Sequence, residues 1–409
     1  MNLSYSEAGN KGKRVRSDCW VGINLTSKNG IKIDVKSKVN VLYGNSIIEL
    51  LNNMMAFFEI SNAEIEIEDS GAIPFVIMAR VESAVRKLGV DKKRKYLEGM
   101  KHPIISSSRN RLRRSRLYLP GDQPKLFLNA AIHNADGLIF DLEDSVHPSK
   151  KDDARILVRN ALSTIDFMGS EKMVRINQLP LGYKDLEEVL PQKVDLILIP
   201  KVEKPEQIHE IEKKVDEIFS SMDSEKTGDL FFMPIIESAL GTINAYSIAK
   251  ASKRNVALAI GLEDYTADIG TQRTNEGKES FFARSMVVNA AKAAEIQAID
   301  TVFSDVNDMD GLRESSIEAK SLGFDGKGCI HPRQVAVVNN AFIPDEKEIE
   351  KAKKIVIAFE KAEKSGLGVV SLESKMIDPP VVKRALRTIE IVQKEGIVTE
   401  NWRDEYEKA

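Results

Sequence analysis

The stretch Leu138-Ile-Phe-Asp-Leu-Glu-Asp-Ser145 is an apolar, strand-like run that ends in a cluster of acidic residues. Seven similar runs lie along the chain, and amphipathic segments such as Pro205–Ser220 separate them. These runs are Leu117–Pro120, Met173–Asn177, Leu196–Pro200, Phe231–Ile236, Val256–Leu262, Ala298–Phe303 and Gly328–His331. Eight strands that alternate with helices over about 270 residues predict an α/β fold, the (β/α)8 TIM barrel.

The residues before the barrel predict a smaller α+β domain. Alternating apolar residues mark strands at Ile31–Val35 and Ile65–Ile67. Helices are expected at Ser46–Glu59, with Asn45 or Ser46 as the cap, and at Ile73–Leu88. We therefore divide the chain into the small domain at 1–90, a basic linker at 91–112, the barrel at 113–344 and a C-terminal helical tail or lid at 345–409.

The linker is strongly basic. Ten Lys or Arg residues fall between Asp91 and Arg116, where only Asp91 and Glu98 oppose them. Together with Gly99, Pro103 and a run of serines, this composition is typical of a solvated linker. Because few aromatic residues are interleaved, nucleic-acid binding is not expected, and a phosphate-rich ligand suits the segment better.

Composition excludes several classes of protein. The chain has 409 residues, of which 42% are hydrophobic and 30% charged, so it can bury a core in two or three domains. The net charge of -3 argues against a dedicated nucleic-acid binder, and two cysteines exclude a disulfide framework. The first twenty residues carry no apolar signal region and no apolar run approaches a membrane span, so we expect a cytoplasmic protein without membrane contact.

The carboxyl ends of the expected strands are crowded with polar residues. In a TIM barrel these ends meet on one face, where the active site lies. The residues are Asp141, Glu143, Asp144, Arg175, Asn177, Lys201, Glu203, Glu237, Ser238, Glu263, Asp264 and His331. Several carboxylates in one cavity repel each other without a cation, and oxygen ligands favour Mg²⁺ or Mn²⁺. The alternative for each carboxylate is helix capping or pairing with a basic side chain.

Two of these residues allow a different chemistry. Lys201 could form a Schiff base with a carbonyl substrate, or it could pair with a neighbouring acid. His331, which precedes Pro332, could act as a base or make a structural hydrogen bond. The number of carboxylates favours a metal-dependent mechanism over the Schiff base.

Motifs at the strand ends resemble the citrate lyase β subunit, which belongs to the HpcH/HpaI aldolase and malyl-CoA lyase superfamily. They are Arg116-Leu-Tyr-Leu-Pro-Gly121, Phe140-Asp-Leu-Glu-Asp-Ser-Val146, Val174-Arg-Ile-Asn177, Ile199-Pro-Lys201, Ile236-Glu-Ser238, Gly261-Leu-Glu-Asp-Tyr265, Gly323-Phe-Asp-Gly-Lys327 and Ile330-His-Pro-Arg-Gln334. The resemblance continues into the tail through Leu367-Gly-Val-Val-Ser-Leu372 and Lys375-Met-Ile-Asp378.

The small domain resembles the citrate lyase γ subunit, an acyl carrier protein. The matching motifs are Ala8-Gly9, Ser17-Asp18, Tyr43-Gly44, Asp69-Ser-Gly-Ala72 and Ala79-Arg-Val-Glu82. The resemblance implies that Ser17 carries a phosphoribosyl dephospho-coenzyme A group, which would make the chain a phosphoprotein. It also implies a separate partner, the citrate lyase α subunit, that loads citrate onto the carrier.

The resemblance implies metal-assisted cleavage of a citryl thioester into oxaloacetate and an acetyl thioester. Glu237 and Asp264 would bind the metal, while Arg175 and Glu237, with Tyr118 and Asn177, would bind the substrate. Asp378 would be the acid or base and would reach a neighbouring subunit's site, so a homo-oligomer such as a trimer is expected. The alternatives are a malyl- or citramalyl-type thioester lyase, or a carrier with an idle barrel.

Overall fold

The computed structural model describes residues 4–90, 93–97, 99, 107–222, 229–364, 370–372 and 375–408. Part of the expected linker, including Lys92, Lys101 and Pro103, lies outside these ranges, as do residues 367–369 of the tail motif. Within the described ranges, no helix combines the length and the apolar composition that crossing a membrane requires.

The N-terminal residues form a sheet of four strands with two helices. The elements are β1 (Tyr5–Gly9), β2 (Cys19–Leu25), β3 (Ile31–Ser37), α1 (Asn40–Phe57), β4 (Ala63–Asp69) and α2 (Pro74–Leu88). The strand order is β1-β2-β4-β3, in which β3 and β4 are parallel and the other pairs antiparallel. The small α+β domain is thereby confirmed.

Helix α1 begins earlier than the sequence predicts. Its first residue is Asn40 and Val39 occupies the cap position, so the expected caps Asn45 and Ser46 lie inside the helix. Val41 and Leu42 in the first turn are exposed. Because this turn is not packed against the sheet, the apolar periodicity begins only in the next turn, and the expected start was wrong.

Eight parallel strands close into a barrel, which confirms the TIM fold. The strands are β5 (Ser115–Pro120), β6 (Gly137–Asp141), β7 (Glu171–Arg175), β8 (Leu196–Ile199), β9 (Phe231–Ile236), β10 (Ala257–Ile260), β11 (Gln297–Asp300) and β12 (Gly326–Cys329). Around them lie α3 (Pro124–Phe127), α4 (Lys151–Thr164), α5 (Leu181–Val189), α6 (Pro205–Ser220), α7 (Ala239–Ile243), α8 (Ala245–Lys250), α9 (Leu262–Asp268), α10 (Phe281–Ala293), α11 (Met309–Leu322) and α12 (Pro332–Phe342). Each strand overlaps one predicted run.

Helix α2 joins the small domain to the barrel, because both pack their cores against it. Of its 15 residues, twelve are buried. Phe75, Val76 and Ala79 belong to the apolar core that surrounds the barrel, whereas residues such as Met78 and Val81 belong to the core of the N-terminal sheet. The small domain is therefore docked on the barrel through α2.

Buried ion pairs strengthen this contact. Arg159 of α4 donates to Glu82 of α2 at 2.8 and 2.6 Å and to Glu188 of α5 at 3.0 Å. Arg86 forms ion pairs with the same two carboxylates, Glu82 and Glu188. The Lys95 ammonium nitrogen lies 3.0 Å from Glu188. In the described part of the linker, Lys95 thus pairs with the barrel and Arg94 pairs with Glu59 of the small domain at 2.9 Å. Lys93, Gly99 and Arg109 are exposed, so the expectation of a solvated segment holds only in part.

The basic residues just before the barrel lie at the amino-terminal ends of its strands. Arg113 donates to Glu171 at 2.7 and 2.8 Å, and both side chains are fully buried. The Arg114 guanidinium donates two hydrogen bonds to Asp136, at 2.9 and 2.8 Å. These guanidinium groups are already neutralised and lie opposite the active-site face, so they do not suit a phosphate ligand. The acids that pair with Arg113 and Arg114 are distant in sequence, so the composition of the segment alone suggested that these arginines are solvated.

The C-terminal residues form α13 (Glu346–Lys364), β13 (Val370–Leu372), β14 (Lys375–Ile377), α14 (Pro379–Lys394) and α15 (Trp402–Lys408). The end of α14 packs beside the amino-terminal face of the barrel. There Lys394 donates to the carbonyl of Asn110 at 3.1 Å, and Glu395 pairs with Arg114 at 2.6 Å. This tail therefore contacts the face opposite to the strand ends that carry the polar residues.

Candidate active site

A cavity of about 430 Å³ opens at the carboxyl ends of the barrel strands. Its charged lining residues are Arg116, Asp141, Asp144, Arg175, Glu237, Glu263, Asp264 and Asp300. Its apolar lining includes Tyr118, Ile235, Ala259 and Ile330. The cavity brings together most of the carboxylates that the strand ends predicted, in the place where TIM-barrel enzymes hold their active sites.

The carboxylates surround Lys201. Its ammonium nitrogen lies 3.5 Å from Asp264 and 3.8 Å from both Glu143 and Asp144. Partial burial works against the charge of Lys201, but the three carboxylates outweigh it and raise the pKa of the amine. An amine that stays protonated lacks the lone pair that a Schiff base needs, so the ion-pair interpretation of Lys201 is favoured.

Glu237 is a strongly perturbed acid of the cavity. Burial, together with the charges of Glu143 and Asp264, raises its pKa to about 8, although the amide of Lys201 donates to it at 2.7 Å. The backbone of Lys201 has a positive φ of 50°, a conformation that residues other than glycine rarely adopt. In this conformation its amide N–H donates to the Glu237 carboxylate.

A glycine makes room for the Glu237 carboxylate. Gly261 follows β10, and a Cβ added to it would lie 2.6 Å from Glu237 Oε2. The sequence interpretation did not single out this residue. The signal was present, because a glycine between an apolar strand and an acidic helix start indicates a close approach of another group.

Arg175 is held in place by Asp141. Its Nε and Nη2 each donate to the Asp141 carboxylate at 2.7 Å, and Nη1 lies 3.0 Å from Glu143 and 3.3 Å from Asp144. Burial opposes the charge of Asp141, yet Arg175 outweighs it and lowers the pKa of that carboxyl. The guanidinium also faces the Tyr118 ring at 5.4 Å. Only the Nη1 edge of Arg175 thus remains directed at the acidic cluster.

Glu143 completes the cluster. Burial and the charge of Asp144 act against the pull of Arg175 and raise the pKa of Glu143 to about 7. Burial is the main cause of both raised pKa values and neighbouring carboxylates add to it, so the ionised forms of these two acids lack a compensating cation.

The donor set fits a hard divalent cation. Within the described residues, no three His, Cys, Asp or Glu side chains are arranged to hold a metal by themselves. Glu237 and Asp264 supply two carboxylates to one cavity. Mg²⁺ is commonly bound through one or two carboxylates while substrate oxygens and water complete its shell. Such an ion would stabilise the ionised forms of Glu237 and Glu143, which burial and neighbouring carboxylates disfavour.

Three of the expected site residues lie elsewhere. Asn177 is not among the residues that line the cavity, and its side-chain amide donates to buried Asp185 at 2.8 Å, so its role in substrate binding stays a prediction. His331 caps α12, where its Nδ1 accepts from the amide of Arg333 at 3.2 Å, in agreement with the structural alternative. Asp378 caps α14 in the tail, outside the cavity of its own chain.

Ser17 lies in the loop between β1 and β2, on the side of the barrel that carries the cavity. The next residue, Asp18, pairs with Arg80 at 2.9 Å, and Arg80 reaches the carbonyl of Asp122 just after β5. Lys150, in the segment that follows β6, donates to Asn10 of the same loop. The Ser17 loop is therefore fixed beside the active-site face.

The loop before Ser17 is basic. Lys11, Lys13, Arg14 and Arg16 are exposed, and Ser17 itself is half-buried with a positive φ of 53°. A serine beside four exposed cations fits a phosphate-bearing group better than the linker arginines do, because those arginines are already paired.

This fold and this cavity define a TIM-barrel carbon–carbon lyase with a carrier-like domain in front of it. The family model "HpcH/HpaI aldolase/citrate lyase" matches residues 114–332, and the model of the malonate decarboxylase delta subunit matches residues 10–88. The chain belongs to the HpcH/HpaI aldolase/citrate lyase family.

Among curated relatives, the citrate lyase subunit beta of Leuconostoc mesenteroides subsp. cremoris is 41% identical, and the match covers 70% of this chain and 96% of the relative. The human mitochondrial citramalyl-CoA lyase is 34% identical, with 68% of this chain and 84% of the relative covered. Among solved structures, Mycobacterium tuberculosis CitE with magnesium, acetoacetate and coenzyme A is 30% identical with a TM-score of 0.56, covering 69% of this chain and 98% of that one.

Proposed function

We propose that the protein cleaves a citryl thioester, carried on its own N-terminal domain, into oxaloacetate and an acetyl thioester. The observation that carries the proposal is the meeting of Glu237, Asp264 and Arg175 in one cavity of a chain that is 41% identical to a citrate lyase subunit beta. The carrier-like domain at residues 10–88 supports a thioester substrate.

Substrate binding follows from the geometry of the cavity. The Nη1 edge of Arg175 is the part of its guanidinium not used by Asp141, so it would donate to the carboxylate beside the carbinol. Tyr118 packs under that guanidinium and limits its movement. Glu237 and Asp264 would hold Mg²⁺, in line with the magnesium in the related CitE structure. When bound, the metal supplies Lewis-acid polarisation of the hydroxyl and the developing ketone.

Cleavage requires two proton transfers. A base takes the hydroxyl proton, the carbinol becomes a ketone, and the electrons of the broken C–C bond form an enolate on the thioester fragment. Protonation of that enolate carbon yields the acetyl thioester. Asp378 is our candidate for this acid and base role, and it would act on the cavity of another copy, because the tail packs beside the opposite face of its own barrel.

Exposed apolar residues around the cavity support an oligomer. Ile243, Phe281 and Phe282 are each more than half exposed on the segments that follow β9 and β10. A second copy of the chain, bringing its tail and Asp378, would cover them. Co-expression of Glu237→Gln with Asp378→Asn chains tests this arrangement. Each variant should be inactive alone, and the mixed oligomer should recover activity; a mixture that stays inactive would place Asp378 outside the site.

Ser17 is our candidate for the attachment of a phosphoribosyl dephospho-coenzyme A group, with the citrate lyase α subunit as the expected loading partner. Intact mass and peptide mapping of protein from its native host test this directly. Ser17→Ala should stop turnover of free citrate with the partner present, yet retain cleavage of citryl-coenzyme A. An unmodified Ser17 in active native complex would instead make the N-terminal domain a docking module.

The decisive assay is metal-dependent release of oxaloacetate from a citryl thioester. Chelation should abolish the release and Mg²⁺ should restore it. The similarity to citramalyl-CoA lyase keeps a malyl- or citramalyl-type lyase as the second candidate. Cleavage of those thioesters alone would select that candidate, and no cleavage of any thioester would indicate an idle barrel.

A further inference from the structure

Arg116 is a cation inside the apolar interior of the barrel. It lies on β5, two residues nearer the amino-terminal end than Tyr118, and is only 1% exposed. Its side chain reaches toward β9 on another side of the barrel, where Nη1 lies 2.9 Å from Met233 Sδ. Its surroundings therefore offer little compensation for a full positive charge.

The hydrogen-bonding capacity of Arg116 is largely unused. A guanidinium carries five N–H donors, yet Nε is buried without a partner and Nη2 is 3.5 Å from the carbonyl of Asp300. The Asp300 carboxylate is already taken by Lys327 at 2.7 Å and Arg284 at 3.1 Å. Among the described residues, no carboxylate forms an ion pair with Arg116.

A buried charge without a counter-charge is costly and calls for an explanation. The buried arginines of the other networks each have a carboxylate, as Arg113 has Glu171 and Arg159 has Glu82. Burial lowers the pKa of Arg116, but an arginine side chain stays protonated in proteins. Arg116 is thus ready to receive an anion that the chain itself does not supply.

The active-site cavity gives an anion access to Arg116. Arg116 lines the same cavity as Arg175 and Glu237, and lies deeper in the barrel than Tyr118. The neighbouring lining positions Ala259 and Gly328 are small, which keeps this depth open. A Cβ at Gly328 would lie 2.7 Å from Val302 Cγ1 and 3.5 Å from the Tyr118 ring, so the space beside Arg116 depends on that glycine.

We propose that Arg116 forms an anion subsite on the floor of the cavity and binds a second carboxylate of the acyl substrate, distinct from the one that Arg175 would hold. The inference rests on the proposed function and deepens it, because it defines the substrate class as 3-hydroxyacyl thioesters with two free carboxylates. Citryl thioesters have that second carboxylate, whereas malyl and citramalyl thioesters have only one.

The test uses the oxo acids that the two substrate classes release, oxaloacetate with two carboxylates and pyruvate with one. Calorimetric titration of the full-length protein with each acid in the presence of Mg²⁺ should show oxaloacetate binding about 10- to 100-fold more tightly, as expected for a charge-assisted hydrogen bond. Arg116→Met should remove this preference while leaving pyruvate binding unchanged. Arg116→Lys, which keeps the charge without the planar fork, should retain part of it.

Met233→Leu is the matched control, because it removes the sulfur contact of Arg116 and leaves the charge in place. It should keep the preference for oxaloacetate. Thermal unfolding separates binding from structure: Arg116→Met removes an uncompensated buried charge and should raise Tm. If Arg116→Met still binds oxaloacetate more tightly than pyruvate, the subsite is wrong. A lower Tm together with that unchanged preference would make Arg116 a structural residue.

Failure of the subsite and failure of the proposed function are distinguishable. The titrations use free oxo acids and need no turnover, so they report on Arg116 even if no thioester is cleaved. Release of oxaloacetate from a citryl thioester by wild-type protein, combined with an unchanged preference in Arg116→Met, would overturn the subsite alone.

Discussion

The two ends of the barrel use the same residue types for opposite purposes. At the amino-terminal end, Arg113 and Glu171 pair at 2.7 Å with both side chains fully buried. At the carboxyl end, Glu143 and Glu237 have pKa values raised to about 7 and about 8, since burial and neighbouring acids outweigh the available cations. Charge that is balanced within the chain stabilises the fold, whereas charge left unbalanced at the cavity favours the binding of a ligand.

The largest expected effect is at the unbalanced end. Glu237→Gln keeps the shape of the side chain but removes a carboxylate from the expected metal site. Oxaloacetate release should fall at least about 10³-fold, because metal polarisation contributes several kcal/mol to lowering the barrier. Unfolding by urea should be unchanged or slightly harder, since a destabilising buried acid is removed. Full activity in Glu237→Gln would contradict a metal role for this residue.

At the balanced end the effect should fall on stability. Arg113→Met leaves the Glu171 carboxylate buried without its partner and should cost about 3–5 kcal/mol in the free energy of unfolding. The double variant Arg113→Met/Glu171→Leu should recover much of that loss, because an apolar pair replaces the ion pair. Urea titration measures both, and kcat of the folded fraction serves as the control. If Arg113→Met lost activity without losing stability, the proposed distinction between a stabilising amino-terminal end and a ligand-binding carboxyl end would be wrong.

Gly261→Ala should act between these extremes. The added methyl group meets the Glu237 carboxylate, displacing it without changing any charge. Affinity for Mg²⁺ should fall about 10- to 100-fold, as is usual when groups that position a metal ligand are disturbed. Calorimetric Mg²⁺ titration of the variant measures the change. Gly99→Ala in the linker is the matched control, because an added Cβ there meets no atom within 4 Å and its φ is not positive.

The smallest effect, taken per pH unit, is a pH dependence. Because the folded pKa of Glu237 is raised to about 8, the metal-free protein loses stability as pH rises from the ordinary carboxyl range through about 8. Mg²⁺ binding must displace that proton, so affinity should increase up to about tenfold per pH unit below pH 8 and then level off. Titrations in buffers of different ionisation enthalpy would count the released protons. Glu237→Gln should release fewer protons, and an affinity that does not vary with pH would contradict the raised pKa.

The sequence predicted the barrel and its polar face because both depend on local patterns. An apolar run followed by acids, as at Leu138–Ser145, identifies a strand and the end that carries function. Which acid neutralises which arginine depends instead on closure of the barrel. Asp141 holds Arg175 from a neighbouring strand, and Glu171 holds Arg113 across 58 positions of sequence. These pairings were therefore missed, and the arginines before β5 were mistaken for a solvated segment.

The contacts of helix α2 have a consequence for the order of synthesis. The first 90 residues leave the ribosome before α4, so the face of α2 that carries Phe75, Val76 and Ala79 has no barrel to pack against at that time. Glu82 likewise has no ion pair with Arg159 at that time, because Arg159 lies 77 positions later in the chain. The N-terminal domain can complete its own sheet early. Until the first third of the barrel has been translated, however, the apolar face of α2 and the Glu82 carboxylate, both buried in the final fold, are exposed to solvent. During that interval the domain is a target for chaperones and proteases, and truncation near residue 90 exposes the same surface permanently.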